Sequence, residues 1–453
     1  MMAAAVKIAG SDQFNLTGTC SRVDSPLPAP SPANCAWGKA MTKAPLETLR
    51  IGFIGSGFIA RFHLQAMTAV RNCQVTGIYS TTPSKREATA ALANDLSLGP
   101  CRAYDSIEHM LCSGVIDAVW ILSTNDTRLE AMREIHRLVT REGVALAGVA
   151  CEKPLGRTLP EAREMLELVQ GAGLYHGYLE NQLFAGATRR GKEIVWRRAV
   201  PLTGRPYLAR ATEEHSGPHE PWFWQGERQG GGVLLDMMCH SVEVARFLLT
   251  GPDETRDSLR LKSANATVAT LKWGRAGYAE KLRQSTDGAV DFAQRPVEDF
   301  ARGILVYEDL QGDEVIVEVT TSWAYVGPGL RISLELLGPE YTMSFDSLAT
   351  GLKVFLSRNV AGASGEDLVE KQNAEQGLMP VLEDEVGTYG YAEENRHMVE
   401  AFRKGETPME TFDDGVAVIA ALMALYLSAE SSRTVDVASE DLSGFVPAVA
   451  RQG

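Results

Sequence analysis

An apolar run, Leu49 to Ile54, leads without a break into Gly55-Ser56-Gly57-Phe58-Ile59-Ala60, and a helical pattern takes over across 59–70. Strand, glycine turn and helix in that order point to an open parallel sheet with helices packed on it. The G-x-G-x-x-A pattern also carries chemistry. The first glycine permits a tight turn, the second lets backbone approach a pyrophosphate, and the small alanine allows close helix–strand packing. Gly55, Gly57 and the first helical residues, Phe58 and Ile59, are the expected dinucleotide cradle, at a helix N-terminus where anions are favoured.

The alternation continues. Apolar runs at 74–79, 116–122 and 144–149 are separated by helical patterns at 84–93, 127–140 and 160–170. Residues 48–173 are expected to form an NAD(P)-binding Rossmann domain, a doubly wound parallel sheet in the α/β class. After Leu174 the period changes to two, with strand-like runs at 206–211, 264–272, 303–307, 314–323, 331–337 and 341–345. Residues 174–453 are expected as a substrate-binding and oligomerisation domain, α+β, with a large open antiparallel sheet. Helices at 233–249, 392–403 and 413–431 would cover one face, and 251–296 has no clear assignment. Residues 1–47 form an N-terminal extension, rich in proline at 25–32. It reads as disordered, as a start set too far upstream of Met41, or as an arm onto a neighbouring subunit.

A net charge of -14, from 44 basic and 58 acidic side chains, disfavours binding to nucleic acid, which rests on phosphate neutralisation. None of the seven cysteines is spaced C-x-x-C, so unpaired thiols in a reducing cytoplasmic compartment are expected. No uninterrupted apolar run reaches the ~18 residues that span a bilayer.

Several groups fall where a parallel sheet places its ligands, beyond the carboxyl ends of the strands. Glu152-Lys153-Pro154 follows the run 144–149, so Lys153 would face the reactive end of a bound nicotinamide, with Glu152 beside it. Ser123-Thr124-Asn125-Asp126 follows 116–122, and Thr124 and Asn125 would flank the cofactor as well as cap a helix. The second strand ends Ser80-Thr81-Thr82-Pro83, without the acid that usually holds the adenine ribose, and Lys85 and Arg86 follow. Ser80 is the expected ribose contact, and the choice between NAD and NADP stays open. Farther on, Gly230-Gly231-Gly232 precedes Asp236 and His240, four residues apart and hence on one helix face. They form a candidate proton-transfer pair in which the carboxylate orients the imidazole.

The glycine turn, Cys151-Glu152-Lys153-Pro154-Leu155 and the Gly-Gly-Gly-x-Leu-Leu-Asp-x-x-x-His run ending at His240 resemble, in order and spacing, the Gfo/Idh/MocA oxidoreductases, with glucose–fructose oxidoreductase and inositol dehydrogenase among its members. The segment Glu394-Asn395-Arg396-His397 and the helix that ends near Ser431 are also similar to that family, and the resemblance covers about 49–437. It implies Lys153, Asp236 and His240 as the catalytic set, NAD(P)(H) as cofactor, and an open sheet used in homo-oligomer contacts. The stretch Glu214 to Trp224 resembles members that oxidise the 3-hydroxyl of glycosides. Its His215, His219, Trp222 and Trp224 are expected substrate contacts, together with Asn181; aromatic rings stack on sugar faces. The histidines suit hydrogen bonds to hydroxyls; no metal is expected, because Pro218 breaks the helical spacing that would bring them together. Gln182 departs from an arginine that many relatives carry nearby. The resulting expectation is hydride transfer between NAD(P) and a secondary hydroxyl of a sugar, cyclitol or glycoside. Two alternatives are a redox-assisted glycosidase or lyase with retained NAD, in which His215 and His219 supply a second base, and a non-catalytic dinucleotide-binding regulator.

Overall fold

The structure, a computed structural model, describes residues 46–356, 368–372, 374 and 376–451. The proline-rich run and nearly all of the expected extension lie outside the described residues.

Six parallel strands form the first sheet: β1 (Leu49–Ile54), β2 (Cys73–Tyr79), β3 (Arg102–Tyr104), β4 (Ala118–Ile121), β5 (Gly148–Glu152) and β6 (Tyr175–Leu179). Their spatial order is β3-β2-β1-β4-β5-β6. Helices α1 (Phe58–Met67), α2 (Pro83–Asp95), α3 (Ile107–Leu111), α4 (Asn125–Arg141) and α5 (Leu159–Gly171) alternate with them. Every residue of β4 and β5 is buried, as expected of parallel strands covered on both faces. The strand expected at 144–149 begins four residues later and ends at Glu152, so Lys153 is the first residue beyond the sheet. β3 is three residues long, too short to leave a period, and the sequence reading missed it. β6, placed in the second domain by that reading, pairs in parallel with β5, so the first sheet extends beyond residue 173.

The second sheet has seven strands: β7 (Leu208–Glu214), β8 (Arg260–Ala269), β9 (Phe300–Glu308), β10 (Glu314–Ser322), β11 (Arg331–Gly338), β12 (Tyr341–Asp346) and, after the small ribbon of β13 (Lys353–Leu356) and β14 (Gly377–Pro380), β15 (Val435–Asp436). It is open, but mixed rather than wholly antiparallel, because β10 lies parallel to β7. About a hundred residues separate those two strands, ample for the crossover that parallel pairing requires. Burial alternates along β9, β10 and β11, so one face is packed and the other is open. All seventeen residues of the helix Val233–Leu249 are buried against the packed face. The helix Phe412–Ser431, the one described helix long and apolar enough to cross a membrane, lies between β8 and α5 with eleven residues buried. The stretch 251–296 holds the whole of β8 and the helix Ala276–Ser285.

The two sheets share their packing. Met398 and Phe402, on the helix Tyr391–Lys404, fill the space above Gly148 and Gly177 in the first sheet. Cys73, Cys101, Cys151 and Cys239 are free thiols, as expected, whereas Cys112 is disulfide-bonded, against expectation.

Candidate active site

At Gly55 the backbone turns with φ +124°, and an added Cβ would stand 2.5 Å from the Leu122 carbonyl carbon and oxygen. Gly57 is the opposite case: nothing lies within 4 Å of an added Cβ. It caps α1, whose N-terminus carries neither a side-chain cap nor an acidic residue in its first turn. Open space above exposed N–H groups fits a pyrophosphate. Gly57→Val should therefore leave the melting temperature nearly unchanged and weaken dinucleotide affinity by about tenfold or more, read by fluorescence titration.

That opening belongs to a cavity of about 1080 Å³ lined by both domains. All the expected cofactor contacts line it: Gly55, Gly57, Phe58 and Ile59 on the first turn, Ser80 beyond β2, Thr124 and Asn125 beyond β4, and Glu152 and Lys153 beyond β5. Thr124 holds the N-cap position of α4, but its hydroxyl donates to Asp126 Oδ1 at 2.6 Å and caps no helix N–H. The residues suit a dinucleotide: an uncapped helix start at one end, and polar strand ends leading to Lys153 at the other.

The loop after β5 is strapped in place. Arg128, on α4, donates to the Ser123 carbonyl at 3.0 Å, to the Glu152 carbonyl at 2.8 Å, and to the Pro154 carbonyl. Asn395 Nδ2 donates to His63 Nδ1 at 2.9 Å, which leaves the Nε2 proton of His63 for Glu152 Oε1 at 2.8 Å. Burial disfavours the Glu152 carboxylate, yet the bond from His63 holds its pKa below the usual value. The Lys153–Pro154 peptide bond is cis.

Lys153 reaches across to the second domain. Its Nζ donates to the Asp236 carbonyl at 2.9 Å and lies 3.3 Å from Asp236 Oδ1. Burial works against the ammonium, but Asp236 leads a set of groups that holds its pKa above the ordinary lysine value. Lys153 is thus a cation and a hydrogen-bond donor at neutral pH.

Asp236 and His240 both face the cavity, as their spacing predicts, but they are not partners. His240 Nδ1 lies 2.6 Å from Glu180 Oε1, while Asp236 is taken by Lys153. The reason is topological. β6 delivers the fully buried Glu180 beneath the imidazole, while β5 delivers the lysine beside Asp236. Burial opposes the imidazolium, and Glu180 more than offsets it, so the His240 pKa is raised. With Nδ1 committed, Nε2 is the nitrogen left to exchange a proton.

The remaining substrate candidates divide. His215, His219 and Trp222 line the cavity. His215 Nδ1 accepts from the Gly217 N–H at 3.0 Å, and burial pushes its pKa well below the usual value. The ring is neutral with its proton on Nε2, a donor suited to a hydroxyl oxygen. Asn181 also lines the cavity and fastens it by donating to the Tyr389 carbonyl at 2.8 Å. Gln182 donates to Glu213 Oε2 at 2.9 Å, and burial raises the pKa of this cavity carboxyl. Trp224 is a correction. It is 2% exposed and packs among Trp273, Phe292 and Trp323, a core position rather than a pocket wall. Trp224→Ala should cost about 3–5 kcal/mol in thermal or denaturant unfolding, whereas Trp222→Ala, at a partly exposed ring stacked on Phe223, should cost about 1 kcal/mol.

Glu180, Glu213, Arg128 and His63 were not identified from sequence. Glu180 had a usable signal: it follows an apolar run at a strand end, and assigning that run to the parallel sheet would have exposed it.

Comparisons with known proteins agree with this fold. A family model described as an oxidoreductase family with an NAD-binding Rossmann fold matches residues 49–178, and the GFO/IDH/MocA C-terminal domain matches 202–343. The 1,5-anhydro-D-fructose reductase of Ensifer adhaerens is 32% identical over 203 residues, 44% of this chain and 56% of the reductase. The D-glucoside 3-dehydrogenase of Escherichia coli (strain K12) is 26% identical over 407 residues, 88% of this chain and 99% of that enzyme. The crystal structure of GenD2 from gentamicin A biosynthesis in complex with NAD superposes with a TM-score of 0.69 at 23% identity, covering 86% of this chain and 97% of GenD2.

Proposed function

This chain belongs to the Gfo/Idh/MocA oxidoreductase family, and on that premise we propose that it oxidises a secondary hydroxyl of a glycoside, the 3-hydroxyl of a glucoside in the first instance, with NAD(P). The observation that carries the reading is the convergence of Lys153 and His240 from two domains on one cavity, each held by its own carboxylate. A nicotinamide held beside Glu152 and Lys153 would supply the hydride acceptor. His240 Nε2 takes the hydroxyl proton while Glu180 holds the ring and stabilises its charge. Lys153, anchored by Asp236, donates to the same oxygen and stabilises negative charge that develops there. Neutral His215 and the amide of Gln182 beside Glu213 offer hydrogen bonds to other hydroxyls, and Trp222 offers a ring face for the sugar.

The redox-assisted hydrolase reading draws its second base from His215 or His219, both on the cavity wall, and the structure disfavours the first of them. The Nδ1 of His215 is already committed, and its depressed pKa makes it a weak base. The regulator reading leaves the Lys153, Asp236, His240 and Glu180 set without a task. A screen of sugars, cyclitols and glycosides with both cofactors, followed at the absorbance of reduced nicotinamide, tests the proposal. It predicts reduction of one cofactor equivalent per glycoside oxidised. Release of aglycone at catalytic turnover, without added cofactor and without net reduction, would reverse it in favour of the hydrolase.

The proposal extends to a homo-oligomer in the cytoplasm, which the four free thiols favour and the bonded Cys112 does not, and which engages neither nucleic acid nor membrane. The charge of -14 supports the former, and the packing of Phe412–Ser431 between β8 and α5 supports the latter. The open face of the second sheet, where Ile316 is 40% exposed, is the surface for self-association. Light scattering after size exclusion measures the assembly.

A further inference from the structure

The adenosine end of the cavity holds side chains that the hydride chemistry does not use. Ser80, Thr81, Thr82 and Lys85 line it beyond β2. The Ser56 hydroxyl donates to Ser80 Oγ at 2.7 Å. Arg86 Nη1 donates to the Ser80 carbonyl at 3.1 Å, which pins the guanidinium beside the strand end. Arg86 lies near enough to Asp105 to help lower its pKa, and Lys85 is the cation that lines the cavity itself.

The carboxylates around this end are already engaged. Glu108 and Glu134 pair with Arg137 at 3.5 and 2.8 Å, Glu130 with Arg133 at 3.3 Å, and Asp105 with His109 at 2.9 Å. A dinucleotide fold that selects NAD places a carboxylate at the end of the second strand to accept both ribose hydroxyls, and that carboxylate repels a 2′-phosphate. Here the position is Ser80, followed by two threonines. Small hydroxyls leave room for a phosphate, and two cations of the next helical turn supply its charge-assisted donors.

We propose that the chain selects NADP(H) over NAD(H), with the 2′-phosphate held by Ser80, Lys85 and Arg86. This inference rests on the dinucleotide reading above and specifies which cofactor that site takes. Fluorescence titration of the purified full chain with NADPH and NADH tests it. NADPH should bind about ten- to a hundredfold more tightly. The double variant Lys85→Ala/Arg86→Ala should bring the two dissociation constants to within about threefold of each other, and Ser80→Asp should reverse their order. Displacement of NADPH from the wild-type chain needs no variant to fold: 2′,5′-ADP should compete at about a tenth of the concentration of 5′-AMP. NADH binding as tightly as NADPH, or equal competition by the two nucleotides, would overturn the selectivity and leave the dinucleotide reading intact. Binding of neither dinucleotide would overturn both.

Discussion

Lys153→Ala should lower the turnover of glycoside oxidation by about two to four orders of magnitude, a loss of about 3–5 kcal/mol of transition-state stabilisation. The ammonium is held across the domains by the Asp236 carbonyl at 2.9 Å and its carboxylate at 3.3 Å, and it keeps 19% of its surface open to the cavity. It is therefore placed to meet a substrate oxygen while remaining charged. His240→Ala should cost a similar factor, because the imidazole nitrogen assigned to take the proton goes with it. The double variant should lose much less than the product of the two factors, since both side chains act on one oxygen. Single-turnover rates at saturating substrate, with melting temperatures as a control for folding, check all three. Near-normal rates in either single variant would sink the assignment of that residue.

Glu180→Gln separates the two candidate bases through pH. Oxidation requires His240 neutral, so the rate should fall as pH drops through the His240 pKa. Glu180 favours the imidazolium and places that pKa above the ordinary value of 6.5. Glutamine keeps a side chain at Nδ1 but removes the charge. The His240 pKa should then fall, and the acid limb of the pH–rate profile should move to lower pH by about one unit or more. Turnover on the plateau should drop about ten- to a hundredfold, as the amide competes to hold the ring in the wrong tautomer. If Lys153 were the base, the acid limb would sit in the alkaline range, because Asp236 and its neighbours raise the lysine pKa. An acid limb that ignores the substitution at Glu180 would count against His240.

Much of this was legible in the sequence because the decisive signals are local. A glycine turn between strand and helix, a lysine at a strand end, and two side chains at helical spacing each follow from chain geometry over a few residues. What stayed hidden depends on contacts between distant segments. Asp236 and His240 share a helix face, yet their partners arrive from β5 and β6, and no spacing on the helix announces that. Trp222 and Trp224 are two apart in one short aromatic run. Only the approach of Trp273, Phe292 and Trp323 makes one of them core. The parallel pairing of β7 with β10 joins strands about a hundred residues apart, and alternation of side chains looks the same in either direction. Lys85 and Arg86 were visible, but the bond that fixes Arg86 to the Ser80 carbonyl was not.

The most direct test of cross-domain hydride transfer follows the hydrogen itself. A glucoside deuterated at C3 is oxidised by the full chain with each cofactor, and the reduced nicotinamide is analysed by mass spectrometry and NMR. Transfer of the label to C4 of the nicotinamide, one deuterium per glucoside oxidised, is the predicted result. Release of the label to solvent during aglycone release, with no net reduction of cofactor, would contradict it.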